Sequence, residues 1–245
     1  FDTIRAGNRI TTTQVPPEEF HRVFEKYLAE GYDIVYIACS SKQSGSVNTG
    51  AVVAQKLTET YPDGKIYCID SLNASYGEGI LALEAVRYAK TGKSAAEVAE
   101  YITGIRNNVL QYITVHTLEY LKRAGRVSAS SAFFGNLMGV KPILISDANG
   151  VQTPIKKVKG RQASLREMAA LLKENIIEPE KQTVYVIHAD CAPEEVQTFV
   201  DMIRSEVPCR DVQVWYIGPI IGASIGPDAI GVLAFGKTVT YEMKA

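Results

Sequence analysis

A pattern of apolar run, polar loop and helix occurs twice in the first third of the chain, and it strongly constrains the fold. Residues 33–39 (DIVYIAC) and 65–70 (KIYCID) are short apolar runs, typical of strands buried on both faces of a parallel sheet. The loops SSKQSGS and SLNAS follow these runs, and helical patterns follow the loops. This alternation predicts a parallel sheet covered by helices, with ligands at the loops beyond the strand ends.

Helix and turn signals divide the chain into two parts. Pro16 and Pro17 precede a run with helical spacing, and Ser94 with Glu97 forms a capping-box pattern. Beyond about residue 115 the strand-like runs are closer together, and Asn149-Gly150 between two of them predicts a hairpin. We therefore expect an α/β protein of two domains. Residues 1–114 would form a parallel-sheet, three-layer α/β/α domain, and residues 115–245 a second α/β domain with a mixed or antiparallel sheet.

Composition excludes several classes of function. The 26 basic and 27 acidic residues give a net charge of −1, so nucleic acid is not an expected partner. The four cysteines lack metal-ligand spacing, which predicts reduced thiols, no bound metal and a cytoplasmic location. No apolar run reaches the roughly 20 residues of a membrane-spanning helix, so no integral membrane association is expected.

The loop at residues 40–46 is a candidate anion site. A helix N-terminus presents unpaired backbone N–H groups, Ser41 and Ser44 would add hydroxyl donors, and Gly45 permits close approach. Ordinary N-capping by serine explains the loop about equally well. Because the loop lacks the phosphate-binding GxxxxGK[ST] and GxGxxG motifs, a carboxylate fits it better than a nucleotide.

Two other groups of residues allow different functions. Ser44 with His188 and Asp190 could form a hydrolase or transferase site, although SGS is not the GxSxG elbow. A basic set could bind a partner protein or a phosphorylated ligand, although such charges usually form a solvated surface. Its members are Arg123, Arg126, Lys156, Lys157, Lys159 and Arg161.

Eight segments, in order, resemble successive motifs of the DegV family of bacterial fatty acid-binding proteins. They are TTTQVPPEEF, SSKQSGS, DSLNAS, LEYLKRAGRVS, KPIL, KVKGR, HAD and IGPIIGASIGP. The resemblance covers essentially the whole chain and implies a DegV-like fold with a fatty acid, such as palmitate, stearate or oleate, between two domains. Members similar to the binding subunit of fatty acid kinase present the acid to a separate kinase subunit. The chain itself would then be no enzyme and would need no cofactor.

The resemblance also implies roles for individual residues. The carboxylate would be held by Thr12, Thr13, Ser41, Ser44, Gly45 and Ser224. The acyl tunnel would be lined by Phe133, Phe134, Leu137, Ile220 and Ile221. The kinase or the phosphate would face Arg126, Lys159 and Arg161.

Three departures from the family pattern affect these expectations. Ser224 replaces a histidine that lies near the head group in relatives that work with the kinase, so we expect the change to affect acyl phosphate handling more than lipid binding. Lys159 replaces the usual arginine and loses its planar fork of donors. The first strand of the family and its TDS motif are absent, so we expect an N-terminal segment to be missing.

Overall fold

A computed structural model describes residues 1–127 and 139–243. Within them the α-helices are α1 (Asp2–Arg5), α2 (Pro17–Ala29), α3 (Ser46–Thr60), α4 (Tyr76–Ala89), α5 (Ala95–Ile105), α6 (Glu119–Ala124), α7 (Arg161–Asn175), α8 (Pro193–Glu206) and α9 (Pro219–Ile225). Two short 3-10 helices span Arg106–Asn108 and Pro179–Lys181. The strands are β1 (Ile34–Ala38), β2 (Ile66–Asp70), β3 (Val109–Thr114), β4 (Val140–Ser146), β5 (Gln152–Lys159), β6 (Thr183–His188), β7 (Asp211–Tyr216) and β8 (Ile230–Phe235).

The first sheet is small and parallel, as predicted. β1 and β2 pair from Ile34 opposite Ile66 to Ala38 opposite Asp70. Helices α2 and α3 cover one face, where Phe20 and Phe24 pack against the Tyr36 ring. Helices α4 and α5 cover the other face. The three-layer α/β/α arrangement is thereby confirmed, and it follows from alternate strand residues pointing to opposite faces.

The second sheet has six strands in the order β5-β4-β3-β8-β6-β7. The β6–β7 pair is parallel, whereas the other neighbours are antiparallel, which confirms the predicted mixed sheet. The predicted hairpin joins β4 to β5, and Gly150 in its turn has a φ of +80°. That left-handed conformation suits glycine because a Cβ would be strained there.

Strand β3 lies at the centre of the six-stranded sheet, although the predicted division after residue 114 groups it with the parallel sheet. All six of its residues are buried, and it pairs with β8 along its whole length and with β4 at its end. Its sequence VLQYIT lacks the alternation that marks a half-buried strand. The division itself stays a prediction, while the pairing assigns β3 to the second sheet.

The two sheets share one hydrophobic core. Helices α4 and α5 lie between them, so that Ile80 and Ile102 belong to the same buried cluster as Val109 and Leu233 of the large sheet. Helices α7 and α8 cover the far face of the large sheet.

Membrane-spanning helices and metal-ligand clusters are both absent from residues 1–127 and 139–243. None of the helices there combines the length and the apolar character required to cross a membrane. The same residues contain no group of three or more His, Cys, Asp and Glu side chains able to hold a metal ion. All four cysteines are free.

Candidate ligand-binding site

A cleft of about 750 Å³ opens at the carboxyl ends of β1 and β2 and reaches the large sheet. This volume lies within the roughly 300–1,000 Å³ typical of small-molecule sites. Its lining comes from the segment before α2, the loops after β1 and β2, the central strands β3 and β4, and helix α9. Its position agrees with the expected ligand site beyond the carboxyl ends of the strands.

The loop after β1 forms the polar wall of the cleft. The Ser44 hydroxyl lies 2.8 Å from the Ser46 hydroxyl and accepts a 3.2 Å hydrogen bond from the Ser46 backbone N–H. Helix α3 begins at Ser46, and its N-cap residue, Gly45, makes no side-chain cap. The N-terminus of α3 therefore brings partial positive charge and serine hydroxyls to the same side of the cleft.

The segment that contains Thr12 and Thr13 lies against this loop. Gln14 donates from Nε2 to the Thr49 hydroxyl of α3 at 3.0 Å. Its Oε1 packs so closely on Gly45 that a Cβ at that position would collide with it. The two hydroxyl-bearing segments, which are about 30 residues apart in the chain, therefore meet at one end of the cleft.

Helix α9 and the end of α6 line the same cleft from the side of the large sheet. Ile220, Ile221 and Ser224 of α9 face it, and Arg126 lies beside them. All six residues predicted for the carboxylate site thus lie around one cleft, together with two of the predicted tunnel residues. The other three, Phe133, Phe134 and Leu137, lie outside the described residues.

Two of the predicted basic residues lie away from the cleft. Lys159 is exposed at the end of β5. Arg161 donates from Nε and Nη2 to the two carboxylate oxygens of Glu195, at 2.7 and 2.8 Å, and to the Asp228 carbonyl. Hydrogen bonding to Arg161 holds the pKa of Glu195 below its usual value. Contacts of Lys159 and Arg161 with a kinase or a phosphate stay predictions.

The structure does not bring Ser44 and His188 together. Ser44 pairs with Ser46, whereas His188 accepts a 3.3 Å hydrogen bond at Nδ1 from the Cys191 backbone and does not line the cleft. The Asp190 carboxylate accepts from the Tyr216 hydroxyl at 2.9 Å and from Arg5. A nucleophile requires its base within hydrogen-bond reach, so this arrangement gives no support to a hydrolase.

Among the polar residues that line the cleft, Gln43, Gln111 and Glu78 were not predicted as site residues from the sequence. The Gln43 Nε2 and the Gln111 Oε1 are buried, and neither atom has a hydrogen-bond partner among the described residues. Burial raises the pKa of Glu78 to about 7. In sequence, a glutamate in the first turn of a helix cannot be told from an ordinary surface residue. Gln111 belongs to strand β3, which the sequence did not predict as a strand. No local signal therefore identifies Glu78 or Gln111 as a cleft residue.

Comparisons with known proteins agree on the family. The family described as "Uncharacterised protein, DegV family" matches residues 1–237. A DegV domain-containing protein of Clostridium perfringens is 35% identical over 97% of this chain and 81% of its own length. A DegV domain-containing protein of Streptococcus pyogenes serotype M3 is 31% identical over 96% of this chain and 80% of its own length.

Solved structures of DegV proteins have the same fold as this chain. A DegV family protein from Thermus thermophilus, described by its fatty acid binding, superposes with a TM-score of 0.85 and 26% identity over 96% of this chain and 82% of its own. DegV of Bacillus subtilis, described as a fatty acid binding protein, gives a TM-score of 0.82 and 28% identity over 96% of this chain and 82% of its own. From its sequence relatives and its fold, the chain belongs to the DegV family.

Proposed function

We propose that the protein binds a long-chain fatty acid, such as palmitate, stearate or oleate, in the cleft between its two sheets. The observation that carries this proposal is the meeting of two distant hydroxyl-bearing segments, around Thr12 and Ser44, at one end of a cleft with apolar walls. The carboxylate lies at the hydroxyl-rich end. The acyl chain lies among apolar side chains such as Ile113, Leu144 and Ile221.

The donors of the cleft suit a single carboxylate. An ionised carboxylate only accepts hydrogen bonds, so it requires donors from several directions. Hydroxyls of Thr12, Thr13, Ser41, Ser44 and Ser224 can supply them. The N-terminus of α3 adds favourable partial charge. Since Lys42 and Arg126, the two cations of the lining, are both exposed, neutral donors carry most of the recognition.

Affinity then comes mainly from the acyl chain. Removing a methylene group from water contributes about 0.8 kcal/mol, which sums to a large gross driving force for a long chain. The hydroxyl groups need only orient the carboxylate. Fatty acid binding by the similar proteins of Thermus thermophilus and Bacillus subtilis supports this assignment.

The protein acts in this proposal as a carrier for a separate, cytoplasmic fatty acid kinase that does the chemistry. Of the three basic residues assigned to the kinase or to the phosphate, Arg126 lies at the cleft, where it can reach a transferred group. Ser224 stands in place of the family histidine and can still donate a hydrogen bond to a carboxylate. A reconstituted kinase assay with the lipid-loaded protein tests this step.

Lipid extraction tests the binding proposal itself. We expect mass spectrometry of the denatured protein to recover fatty acid in near one-to-one ratio. Replacing Ser44 by alanine removes a hydrogen bond to a charged group, worth about 1.5–3 kcal/mol, so we expect affinity to fall roughly tenfold or more. Ser205→Ala, an exposed serine on α8, is the matched control. Absence of both co-purified lipid and saturable binding would refute the proposal.

A further inference from the structure

A second cavity, of about 370 Å³, lies on the face of the large sheet opposite to the cleft. Leu110 and Tyr112 of β3 line it and belong to the core beneath α7, whereas Ile113 lines the cleft and belongs to the core around α4 and α5. Successive side chains of a strand point to opposite faces, so β3 separates the two cavities. Gln111 borders both. The second cavity is therefore distinct from the proposed fatty acid cleft.

The segment after β8, residues 237–241, forms the outer wall of this second cavity. The Val239 backbone N–H donates a 2.8 Å hydrogen bond to the Asn107 carbonyl, just before β3. The Tyr241 carbonyl accepts a 2.9 Å hydrogen bond from the Ala148 backbone N–H in the β4–β5 turn. These two bonds hold the segment beside the large sheet, so the cavity has a wall that is fixed by the fold.

The lining of the second cavity combines apolar walls with two exposed lysines, Lys156 and Lys237, and no Asp or Glu is among the described residues that line it. Lys156 pairs with the Glu167 carboxylate. The Lys237 ammonium donates a 2.9 Å hydrogen bond to the Glu174 carbonyl and has no ion pair among the described residues. Since an ammonium has three donors, Lys237 retains charge and donors for a ligand. The apolar walls are formed by Leu110, Tyr112, Ile145, Ile155, Leu171 and Val239.

We propose that this second cavity binds a short amphipathic acid, such as a medium-chain carboxylate, with its anionic head group at Lys237 and its apolar chain between α7 and β3. The two lysines, of which Lys156 is already neutralised by an ion pair, favour an anion and disfavour a cation. The apolar walls favour a hydrocarbon chain. At about 370 Å³, against about 750 Å³ for the cleft, the cavity takes a shorter chain than the cleft does.

Titration calorimetry with decanoate tests the site. The full chain is first saturated with octadecanoate, so that binding of decanoate in the cleft does not obscure the second cavity. We expect decanoate still to bind, and its affinity to fall as salt is added, because salt screens the attraction to the lysines. Decyltrimethylammonium, a cation with a chain of the same length, should not bind there.

Substitutions assign this binding to the second cavity. In Lys237→Gln we expect the affinity for decanoate to fall about threefold to fivefold, the effect of losing one exposed charge pair. Lys173→Gln, an exposed lysine of α7 outside the lining, is the control and should keep the wild-type affinity. Leu171→Trp adds bulk to the wall and should block the cavity. Because Lys237 is exposed, its replacement tests the site even if Leu171→Trp fails to fold.

The outcomes separate this site from the fatty acid function of the cleft. The inference is overturned if decanoate does not bind to the octadecanoate-saturated protein, or if decyltrimethylammonium binds equally well. It is also overturned if Lys237→Gln and a folded Leu171→Trp both keep the wild-type affinity for decanoate. A failure of octadecanoate to bind would instead count against the proposed function of the cleft, and it would leave the comparison of wild type with Lys237→Gln valid.

Discussion

Two opposing electrostatic effects act on Glu78. The N-terminus of α4 favours its ionised form, whereas removal from water favours the neutral acid. Burial prevails, since the pKa of Glu78 is raised to about 7. Tyr36 and Cys39, which lie close enough to interact with it, have pKa values raised by burial to about 12. The surroundings of Glu78, Tyr36 and Cys39 are therefore a poor environment for negative charge.

This shift makes the folded protein less stable at high pH. Because the folded state raises the Glu78 pKa above 4.5, stability falls as pH rises from about 4.5 to about 7 and is level above that range. We expect Glu78→Gln to abolish this loss, so that the variant gains up to about 3 kcal/mol over wild type above pH 7 and little near pH 4. Urea unfolding of both proteins across the pH range measures the difference.

The exposed Glu59→Gln is the control, because a solvated carboxylate should give no such pH-dependent gain. A Glu78→Gln protein whose stability relative to wild type does not change with pH would contradict the assignment of the raised pKa to burial in the folded state.

A contact between loop elements joins the two sheets beside the cleft. The buried Ser40 hydroxyl, in the loop after β1, donates a 2.7 Å hydrogen bond to the Gly150 carbonyl in the β4–β5 turn. A Cβ on Gly150 would collide with this hydroxyl and press on Leu72 in the loop after β2. The hairpin therefore packs against both loops that end the parallel strands.

Replacement of Ser40 by alanine tests this contact. The change leaves the Gly150 carbonyl buried without its partner, and we expect it to destabilise the protein by about 1–3 kcal/mol. Thermal or urea unfolding measures the loss, with Ser205→Ala as the exposed control. A stability equal to that of the control would mean that the hairpin does not depend on this hydrogen bond.

At the scale of the whole molecule, α4 and α5 serve both sheets. The buried cluster that contains Ile69 of β2 also contains Leu144 of β4 and Ile187 of β6. A part of the chain that shares this core with its neighbour cannot unfold alone without exposing apolar surface of the other part. The shared core therefore argues against independent unfolding of residues 1–114 and residues 115–245.

We therefore expect one cooperative unfolding transition in calorimetry rather than two. A fatty acid held between the sheets stabilises only the folded state, so ligand at about 100 times its Kd should add about 2.7 kcal/mol and shift that single transition upward. Two resolved transitions, of which ligand moves only one, would contradict the shared core and support two independently stable domains.

Sequence alone predicted the features that depend on near neighbours. The capping box at Ser94 and Glu97 is present, with a 3.3 Å bond to the Ser94 hydroxyl and a 2.9 Å bond to the Glu97 carboxylate, and the Asn149-Gly150 hairpin forms as expected. Such elements are recognisable because their hydrogen bonds and apolar periodicity lie within a few residues. The resemblance to DegV proteins likewise rests on short motifs.

Tertiary structure alone decided which of these elements meet. It placed β3 in the large sheet, Thr12 beside the Ser44 loop, Glu78 in the cleft rather than in solvent, and Arg161 against Glu195. The pattern of a strand or helix indicates that one face is buried, but not which surface covers it. That choice depends on the total apolar area buried by all layers together, a quantity that no local segment contains.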